Sequence, residues 1–299
     1  MYSRISESML VPSGSIAKTF FALIAALTLE QEFGNVMSAK IGTLIDEAAT
    51  SWNSVSIEDA LDMATGHYRF VSHGLDDATT SKVFDIAETH STKLLTALNS
   101  YRRRSSPGER WVYHTTDIYI AGVALRNLFT SLTGSDNILL YLDLKVFQPL
   151  ELSSIVRNSI RTTYDDIQQP LSTTGMFLTV GDAIKLGRFL NPGNKSRGKI
   201  KGKQILDAAA LDASLQLNPE NRGFFAYNDY LYNKGFFSRS FSLENCENFN
   251  YVPYTQAKGP SVVALFPNNA TYVYFSDSTT PDDDPEFSYE ASEIAKLRC

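Results

Sequence analysis

A serine and a lysine three residues apart, in Ser15-Ile-Ala-Lys18, are the residues of this sequence best placed for nucleophilic chemistry. In a helix, residues at positions i and i+3 share one face, so the amine can reach the hydroxyl and accept its proton. The apolar residues that follow recur at helical spacing, which predicts a helix from Ser15 to Gly34. A serine at a helix N-terminus also lies near backbone N–H groups, which stabilise the negative charge that develops in acyl transfer.

The same spacing occurs a second time, in Ser196-Arg-Gly-Lys199. That pair lies in a basic, glycine-containing loop, where no helix is predicted to hold it, so a solvated loop is the simpler interpretation. Lys18 adjoins an apolar helix and must be desolvated or paired, and both conditions suit a proton acceptor. The alternative for Lys18 is a surface lysine on an amphipathic helix.

Composition and motif spacing argue against several other classes of protein. The chain has 299 residues, 43% of them hydrophobic, and a net charge of −6, which is typical of a globular protein and unlike a nucleic-acid binder. Its longest apolar stretch, Phe20–Leu27, is shorter than the roughly 20 residues of a membrane-spanning helix. No phosphate-binding glycine loop is present, and the histidines lack the spacing of a zinc site, so neither a cofactor nor a metal is predicted; the histidines are His67, His73, His90 and His114.

The order of predicted elements indicates an α+β fold. Helices are predicted over Ile57–Met63, Thr116–Phe129, Ile138–Phe147 and Asp182–Leu190, with a loop over Ile155–Leu171. The last third changes character. Aromatic residues at strand spacing fill Phe224–Phe237, the runs Ser261–Phe266 and Thr271–Phe275 flank an Asn-Asn turn that predicts a hairpin, and Tyr289–Leu297 is predicted to be a final helix.

Several segments in sequence order resemble the serine β-lactamase and penicillin-binding superfamily, in its branch of class C β-lactamases, D-alanyl-D-alanine carboxypeptidases and esterases. The segment around Ser15 resembles the family's nucleophile motif, and Pro107-Gly-Glu-Arg-Trp-Val-Tyr113 resembles the approach to its second motif. Further matches cover nearly the whole chain: Ser56–Gly66, Phe147–Glu151, Gly175–Leu190 and Val252–Asp277.

The resemblance implies the roles of further residues. In the second motif, here Tyr113-His114-Thr115, the tyrosine assists proton transfer and the third residue orients the substrate. Thr115 replaces the usual asparagine, keeping a hydrogen-bonding hydroxyl but losing the paired donor and acceptor of an amide. The triplet Ser135-Asp-Asn137 spells the second motif of class A enzymes, yet it is predicted to lie in a loop where this branch has no catalytic residue.

The third motif aligns with Ala257-Lys258-Gly259, in which Gly259 would permit close approach of the substrate. Ala257 lacks the polar side chain that usually contacts the second motif. The next residue of the family normally donates its N–H to the oxyanion hole, but Pro260 has none. The resemblance therefore implies an intact nucleophile, Ser15, with Lys18 as proton acceptor and Tyr113 as general acid and base, beside a weakened oxyanion hole.

The fold implied is an antiparallel sheet flanked by helices, formed by residues 1–35 and 179–299, with an all-helical subdomain over 36–178. Relatives place two strands before the nucleophile helix; these are missing from this sequence, so an upstream segment, a homo-oligomer or a reduced sheet is expected. The substrate would be a small molecule or a peptide: a β-lactam, a D-Ala-D-Ala peptide or an ester. A catalytically impaired homologue that binds peptidoglycan-like or peptide ligands is the alternative.

The resemblance also implies a periplasmic or extracellular location, although no signal peptide is predicted at the start of this sequence.

Overall fold

A continuous helical segment runs through the centre of the protein and carries the predicted nucleophile. In the computed structural model, which describes residues 9–240, 251–257 and 261–276, it begins as a 3₁₀ turn at Gly14–Ile16. A π-helix over Lys18–Leu23 follows and leads into helix α1, Ile24–Phe33, which ends at Gly34. Every residue from 16 to 29 is buried, as expected of a helix that is apolar on all sides. The predicted helix is confirmed, with a 3₁₀ turn at the serine and the wider turns of a π-helix from Lys18 onward.

A sheet of six antiparallel strands packs beside this segment, in the order β10-β9-β8-β7-β6-β5. The predicted aromatic strands and the hairpin are both confirmed within it. Alternation along neighbouring strands places one set of aromatic side chains on the same face, since Tyr232 is paired with Phe237, and Phe237 with Tyr254. The strands are β5 Phe224–Tyr227, β6 Tyr230–Asn233, β7 Phe236–Ser240, β8 Tyr251–Ala257, β9 Ser261–Leu265 and β10 Thr271–Tyr274.

Two short pairs of strands complete the described sheet structure. β1, Val11–Pro12, pairs with β2, Phe177–Leu178, and the amide of Ser13 donates to the carbonyl of Met176 at 2.9 Å. These bonds hold the chain immediately before the nucleophile against the start of a later helix. The other pair, β3 Lys199–Ile200 and β4 Lys203–Gln204, is a two-stranded hairpin in the basic loop.

Most of the helices lie between the nucleophile segment and the sheet strands in sequence. The predicted helices near 57, 116, 138 and 182 are confirmed, and the 155–171 segment is irregular as predicted. The helices are α2 Ile41–Leu44, α3 Ile57–Leu61, α4 Leu75–Ile86, α5 His90–Asn99, α6 Thr115–Thr133, α7 Ile138–Leu142 with a π-helical turn over Asp143–Phe147, α8 Val180–Leu190 and α9 Ala208–Ser214.

Helix α8 packs directly on the sheet at a glycine. A Cβ atom at Gly187 would lie 2.5 Å from Thr271 Cγ2 and 3.3 Å from Val263 Cγ1, so only glycine permits this approach to β9 and β10. The helix begins with a capping box: Thr179 Oγ1 accepts from the amide of Asp182, and the Asp182 carboxylate accepts from the amide of Thr179.

These elements form the α+β architecture that the sequence predicts, an antiparallel sheet flanked by helices. Its division at residues 36 and 178 stays a prediction. Of the described helices, none combines the length and apolarity required to cross a membrane. The predicted helix over Tyr289–Leu297 lies outside the described residues.

Candidate active site

Three side chains from two distant segments form a hydrogen-bonded triangle. Lys18 Nζ donates to Ser15 Oγ at 2.7 Å and to the Tyr113 hydroxyl at 3.0 Å, while Ser15 Oγ and the Tyr113 hydroxyl are 2.9 Å apart. Ser15 and Tyr113 are half-buried, whereas Lys18 is only 3% exposed. The structure therefore brings together the three residues predicted to be catalytic, and burial excludes the interpretation of Lys18 as a surface lysine.

The residue after the lysine anchors this helix to the sheet. Thr19 is fully buried, and its hydroxyl donates to the carbonyl of Gly235 at 2.7 Å, in the turn between β6 and β7. The same oxygen lies 2.8 Å from Thr255 Oγ1 in β8. Because Thr19 is hydrogen-bonded to both the β6–β7 turn and β8, the preceding Lys18 has a defined position relative to the sheet.

The end of β8 lies beside the nucleophile, where the third motif was predicted. A Cβ atom on Gly14 would lie 2.8 Å from Ala257 Cβ, and Gly14 has a φ of +49°, so this approach of strand to helix requires a glycine. Ala257 contributes a methyl group at this position, and it is nearly buried. The predicted substrate-binding Gly259, with Lys258 and Pro260, lies outside the described residues.

The second motif is attached to helix α4 by a carboxylate. Asp77 accepts from the backbone N–H of Thr115 at 2.7 Å and lies 3.3 Å from its hydroxyl oxygen. Thr115 is the first residue of α6, and the residue before it provides no side-chain cap. Asp77, which belongs to α4, therefore accepts from a backbone N–H at the N-terminus of α6. The contacts of Thr115 with Asp77 hold the chain just after Tyr113 in place.

The middle residue of that motif, His114, is buried between two carboxylates. Its Nε2 lies 3.2 Å from Asp76 Oδ2, and its Nδ1 lies 3.4 Å from Asp117 Oδ2, at ion-pair distance. The ring also stacks on Tyr101 with centroids 4.3 Å apart. Burial by itself would lower the pKa of His114, but Asp117 and Asp76 outweigh it and raise that pKa to about 9. An imidazolium next to Tyr113 in sequence therefore lies between two buried acids and offsets part of their negative charge.

Asp76 also organises the loop before its own helix. Its carboxylate accepts from the amides of Arg69 at 2.7 Å and Phe70 at 2.9 Å. Burial opposes ionisation of this carboxyl, yet the hydrogen bonds from His114 and the two amides lower its pKa. Asp76 thereby ties the loop at 69–70 to the second motif.

Sequence reasoning missed these three carboxylates. Asp76 and Asp77 contact residues 38 positions later in the chain, so no local spacing identifies them. The adjacent acidic pair in the first turn of a helix is the only available signal, and it ordinarily indicates favourable helix-dipole interactions. Asp117 would be found only as the i+3 neighbour of His114.

The second serine–lysine pair, Ser196 and Lys199, is not held on a buried helix. Ser196 and Lys199 are both exposed around the β3–β4 hairpin. The neighbouring Arg197 pairs with Asp212, with its Nε 2.8 Å from Oδ1. This loop is the solvated basic loop that the sequence predicts.

The class A-like triplet Ser135-Asp-Asn137 also has a structural explanation. Asp136 pairs with Arg126 at 2.7 Å, and the Asn137 side chain caps α7 by accepting from the amide of Leu140 at 3.0 Å. Within the described ranges, no group of three or more His, Cys, Asp or Glu side chains has the arrangement of a metal site.

Comparison with known proteins identifies the family. The Beta-lactamase family model matches residues 3–226, about three quarters of the sequence, so the chain belongs to the beta-lactamase family. No curated protein sequence matches it significantly.

Solved structures share the fold at low sequence identity. A Bacillus anthracis protein assigned as a 6-aminohexanoate-dimer hydrolase is 17% identical, with a TM-score of 0.71 over 99% of this chain and 75% of its own. A penicillin-binding protein from Bacillus halodurans is 17% identical, with a TM-score of 0.63 over 99% and 89% of the two chains. A class C beta-lactamase from Rhodobacter sphaeroides is 12% identical, with a TM-score of 0.65 over 98% and 87%.

Proposed function

We propose that this protein is a serine hydrolase that cleaves an amide or ester through an acyl-enzyme on Ser15. The observation that carries the proposal is the triangle of Ser15, Lys18 and Tyr113, whose three edges measure 2.7, 2.9 and 3.0 Å. A nucleophile and a base within hydrogen-bond reach, with a third group that holds the base, are the usual requirements for covalent catalysis.

Acylation would use all three side chains of the triangle. Ser15 Oγ attacks the carbonyl carbon of the substrate while its proton passes to an unprotonated Lys18 Nζ. The tetrahedral intermediate then collapses, the C–N or C–O bond breaks, and the Tyr113 hydroxyl donates a proton to the leaving group. Lys18 returns its extra proton to Tyr113, which restores both groups.

Deacylation would reverse the proton path. Water attacks the ester carbonyl of the acyl-enzyme and loses a proton to the neutral amine of Lys18. The bond between Ser15 Oγ and the acyl carbon breaks, and the Lys18 ammonium returns the proton to Ser15. The buried ammonium or amine of Lys18 serves both half-reactions because it contacts both oxygens.

Stabilisation of the oxyanion would rely on the backbone N–H of Ser15. Pro260 takes the place where the family's second donor is expected and has no N–H to give. Loss of one such donor typically costs about 10²–10³ in rate. We therefore expect turnover slower than that of an enzyme with both donors.

The proposed substrate binds between the helical region 36–178 and the part formed by 1–35 and 179–299. Gly259 would allow its close approach, and Thr115 would orient it. A β-lactam, a D-Ala-D-Ala peptide and a simple ester are all compatible with this chemistry. Among the structural neighbours are a D-stereospecific amidohydrolase from Streptomyces and the penicillin-binding protein from Bacillus halodurans.

Intact-mass measurement after incubation with a fluorophosphonate or a β-lactam tests the proposal. We expect an adduct on the wild type and none on Ser15→Ala, and the rate at which a β-lactam adduct disappears reports deacylation. The Ser196→Ala variant is the matched control, since it removes the serine of the other pair, and it should label like the wild type. A folded wild-type protein without an adduct after hours would contradict the proposal.

A second candidate is a homologue that binds peptidoglycan-like or peptide ligands without turnover. Three departures from the family pattern favour it: Ala257, which replaces a polar contact, Pro260, and Thr115, which replaces an asparagine. Stable binding of such a ligand by both the wild type and Ser15→Ala, with no covalent adduct on either, would support this alternative.

A further inference from the structure

Aromatic rings line one side of the catalytic triangle. We call the set His73, Trp111, Tyr113 and Tyr227 the aromatic rim. The His73 ring meets the Tyr113 ring edge-on, with centroids 5.9 Å apart and planes at 70°. It stacks on Tyr227 at 3.8 Å and 22°. The rim thus joins the loop before α4 to the end of β5 and includes the tyrosine whose hydroxyl contacts Ser15.

The fourth ring of the rim, that of Trp111, contacts the other three. Trp111 is 5% exposed, and its centroid lies 5.7 Å from His73, 6.2 Å from Tyr113 and 6.4 Å from Tyr227. The Trp111 ring also packs on Phe237 of the sheet, with centroids 6.2 Å apart. A buried tryptophan held in this way keeps the partly exposed rings in position.

Exposed aliphatic and aromatic side chains flank His73 in the sequence. Phe70, Val71 and Leu75 are 39%, 56% and 44% exposed, and His73 itself is exposed. A cluster of exposed apolar side chains next to reactive groups is typical of a binding surface. Asp76 fixes this loop through the amides of Arg69 and Phe70, so the surface has a defined position relative to Tyr113.

We propose that the aromatic rim binds an apolar acyl group, aliphatic or aromatic, of an ester or amide that acylates Ser15. This inference rests on the proposed acyl transfer and specifies its substrate class. The rim includes the Tyr113 ring, whose hydroxyl is 2.9 Å from the nucleophile, so an acyl chain attached to Ser15 would reach it. Burial of apolar surface should increase the acylation rate about fourfold for each methylene that the rim covers.

Pre-steady-state release of p-nitrophenol from p-nitrophenyl acetate, butyrate and hexanoate tests the inference, because the burst reports acylation even when deacylation is slow. We expect the second-order rate constant of the wild type to increase with chain length, after correction for the alkaline hydrolysis rate of each ester. In His73→Ala and Tyr227→Ala the ratio of hexanoate to acetate should fall about fivefold, because ring surface is lost. The hexanoate rate should therefore fall more than the acetate rate in both variants.

Conservative variants separate ring contact from other roles. His73→Phe and Tyr227→Phe keep a ring and should keep the chain-length preference. Tyr164→Ala, which removes an 84% exposed ring elsewhere, should leave the ratio unchanged. A wild-type rate that does not depend on chain length, or a dependence that survives both alanine variants, overturns the inference alone. A wild type that releases no p-nitrophenol and is not labelled at Ser15 overturns the proposed function and this inference together.

Discussion

His114 Nε2 lies 3.2 Å from Asp76 Oδ2, and these side chains are 1% and 0% exposed. Asp117 approaches the opposite ring nitrogen at 3.4 Å. The residue next to Tyr113, the proposed general acid and base, is therefore the centre of a buried ionic cluster, and its charge state affects the stability of the second motif.

The folded protein should lose stability as the pH rises from about 6.5 to 9. The pKa of His114 increases from its ordinary value of 6.5 to about 9 in the folded state. Its stabilising contribution is therefore fully present below pH 6.5 and is lost as the pH passes through the folded pKa, an effect of up to about 3 kcal/mol. Urea unfolding measured across this range checks the prediction.

The same titration in His114→Gln is the control, because this variant should lack most of that slope. Asp62 does not interfere, since burial, opposed by Lys234, raises the pKa of its carboxyl from 3.8 to about 6, below the window of interest. Equal slopes in the two proteins between pH 6.5 and 9 would contradict the assignment to His114.

Removal of the Asp77 carboxylate should destabilise the start of α6 and displace Tyr113. In Asp77→Ala the amide of Thr115 loses its 2.7 Å acceptor, and the loss of a helix cap typically costs about 1 kcal/mol. We expect acylation to slow about tenfold with little change in apparent ester affinity, because a catalytic group is misplaced. Burst kinetics and denaturant unfolding measure the two effects.

Thr115→Val distinguishes positioning from direct substrate contact. It removes only the hydroxyl, whose oxygen is 3.3 Å from Asp77, and keeps the amide that Asp77 accepts from. If Thr115 acts only through Asp77, this variant is milder than Asp77→Ala. A loss of acylation greater than that of Asp77→Ala would instead assign the hydroxyl to substrate binding.

Tyr113→Phe and Lys18→Met should each reduce acylation by about 10²–10⁴, the range typical of general acid–base groups. Since Lys18 contacts both oxygens of the triangle, the double variant should lose little more than the worse single variant. Lys199→Met, which removes the exposed lysine of the other serine–lysine pair, is the matched control. Fully additive losses would show that the two groups act independently.

Gly14→Ala should impair acylation through the backbone of the nucleophile. Its Cβ would meet Ala257 Cβ at 2.8 Å, and its φ of +49° is unfavourable for alanine. Gly34→Ala provides the comparison, since φ there is +69° but a Cβ would have nothing within 4 Å. Both variants should lose about 1–3 kcal/mol of unfolding free energy from strain, and only Gly14→Ala should also slow acylation. Equal activity in the two variants would contradict this account.

Pro260→Gly should increase the acylation rate, because it restores an N–H where the family alignment expects an oxyanion donor. A single donor is typically worth a factor of about 10²–10³ in rate, so a gain of tenfold or more is expected. The measurement is the burst rate with p-nitrophenyl acetate. An unchanged rate would mean that the third motif is misaligned.

Much of the fold was predictable because its signals are local. Helical patterns after Ser15 and over Asp182–Leu190 predict α1 and α8, and the Asn-Asn turn predicts the β9–β10 hairpin. The widening of the first helix into a π-helix over Lys18–Leu23 was not predictable, since that hydrogen-bond pattern depends on packing around the helix.

Within the candidate site, the sequence by itself determined the candidate serine–lysine pair, because three-residue spacing at the start of a predicted helix places Ser15 and Lys18 on one face. Family resemblance added Tyr113. Only the tertiary structure decided which carboxylates hold the second motif and which rings surround Tyr113. Those contacts join residues such as Asp76 and His114, or His73 and Tyr227, that no periodicity relates. Their distances are decided by how helices and sheet pack together, which is a property of the whole chain.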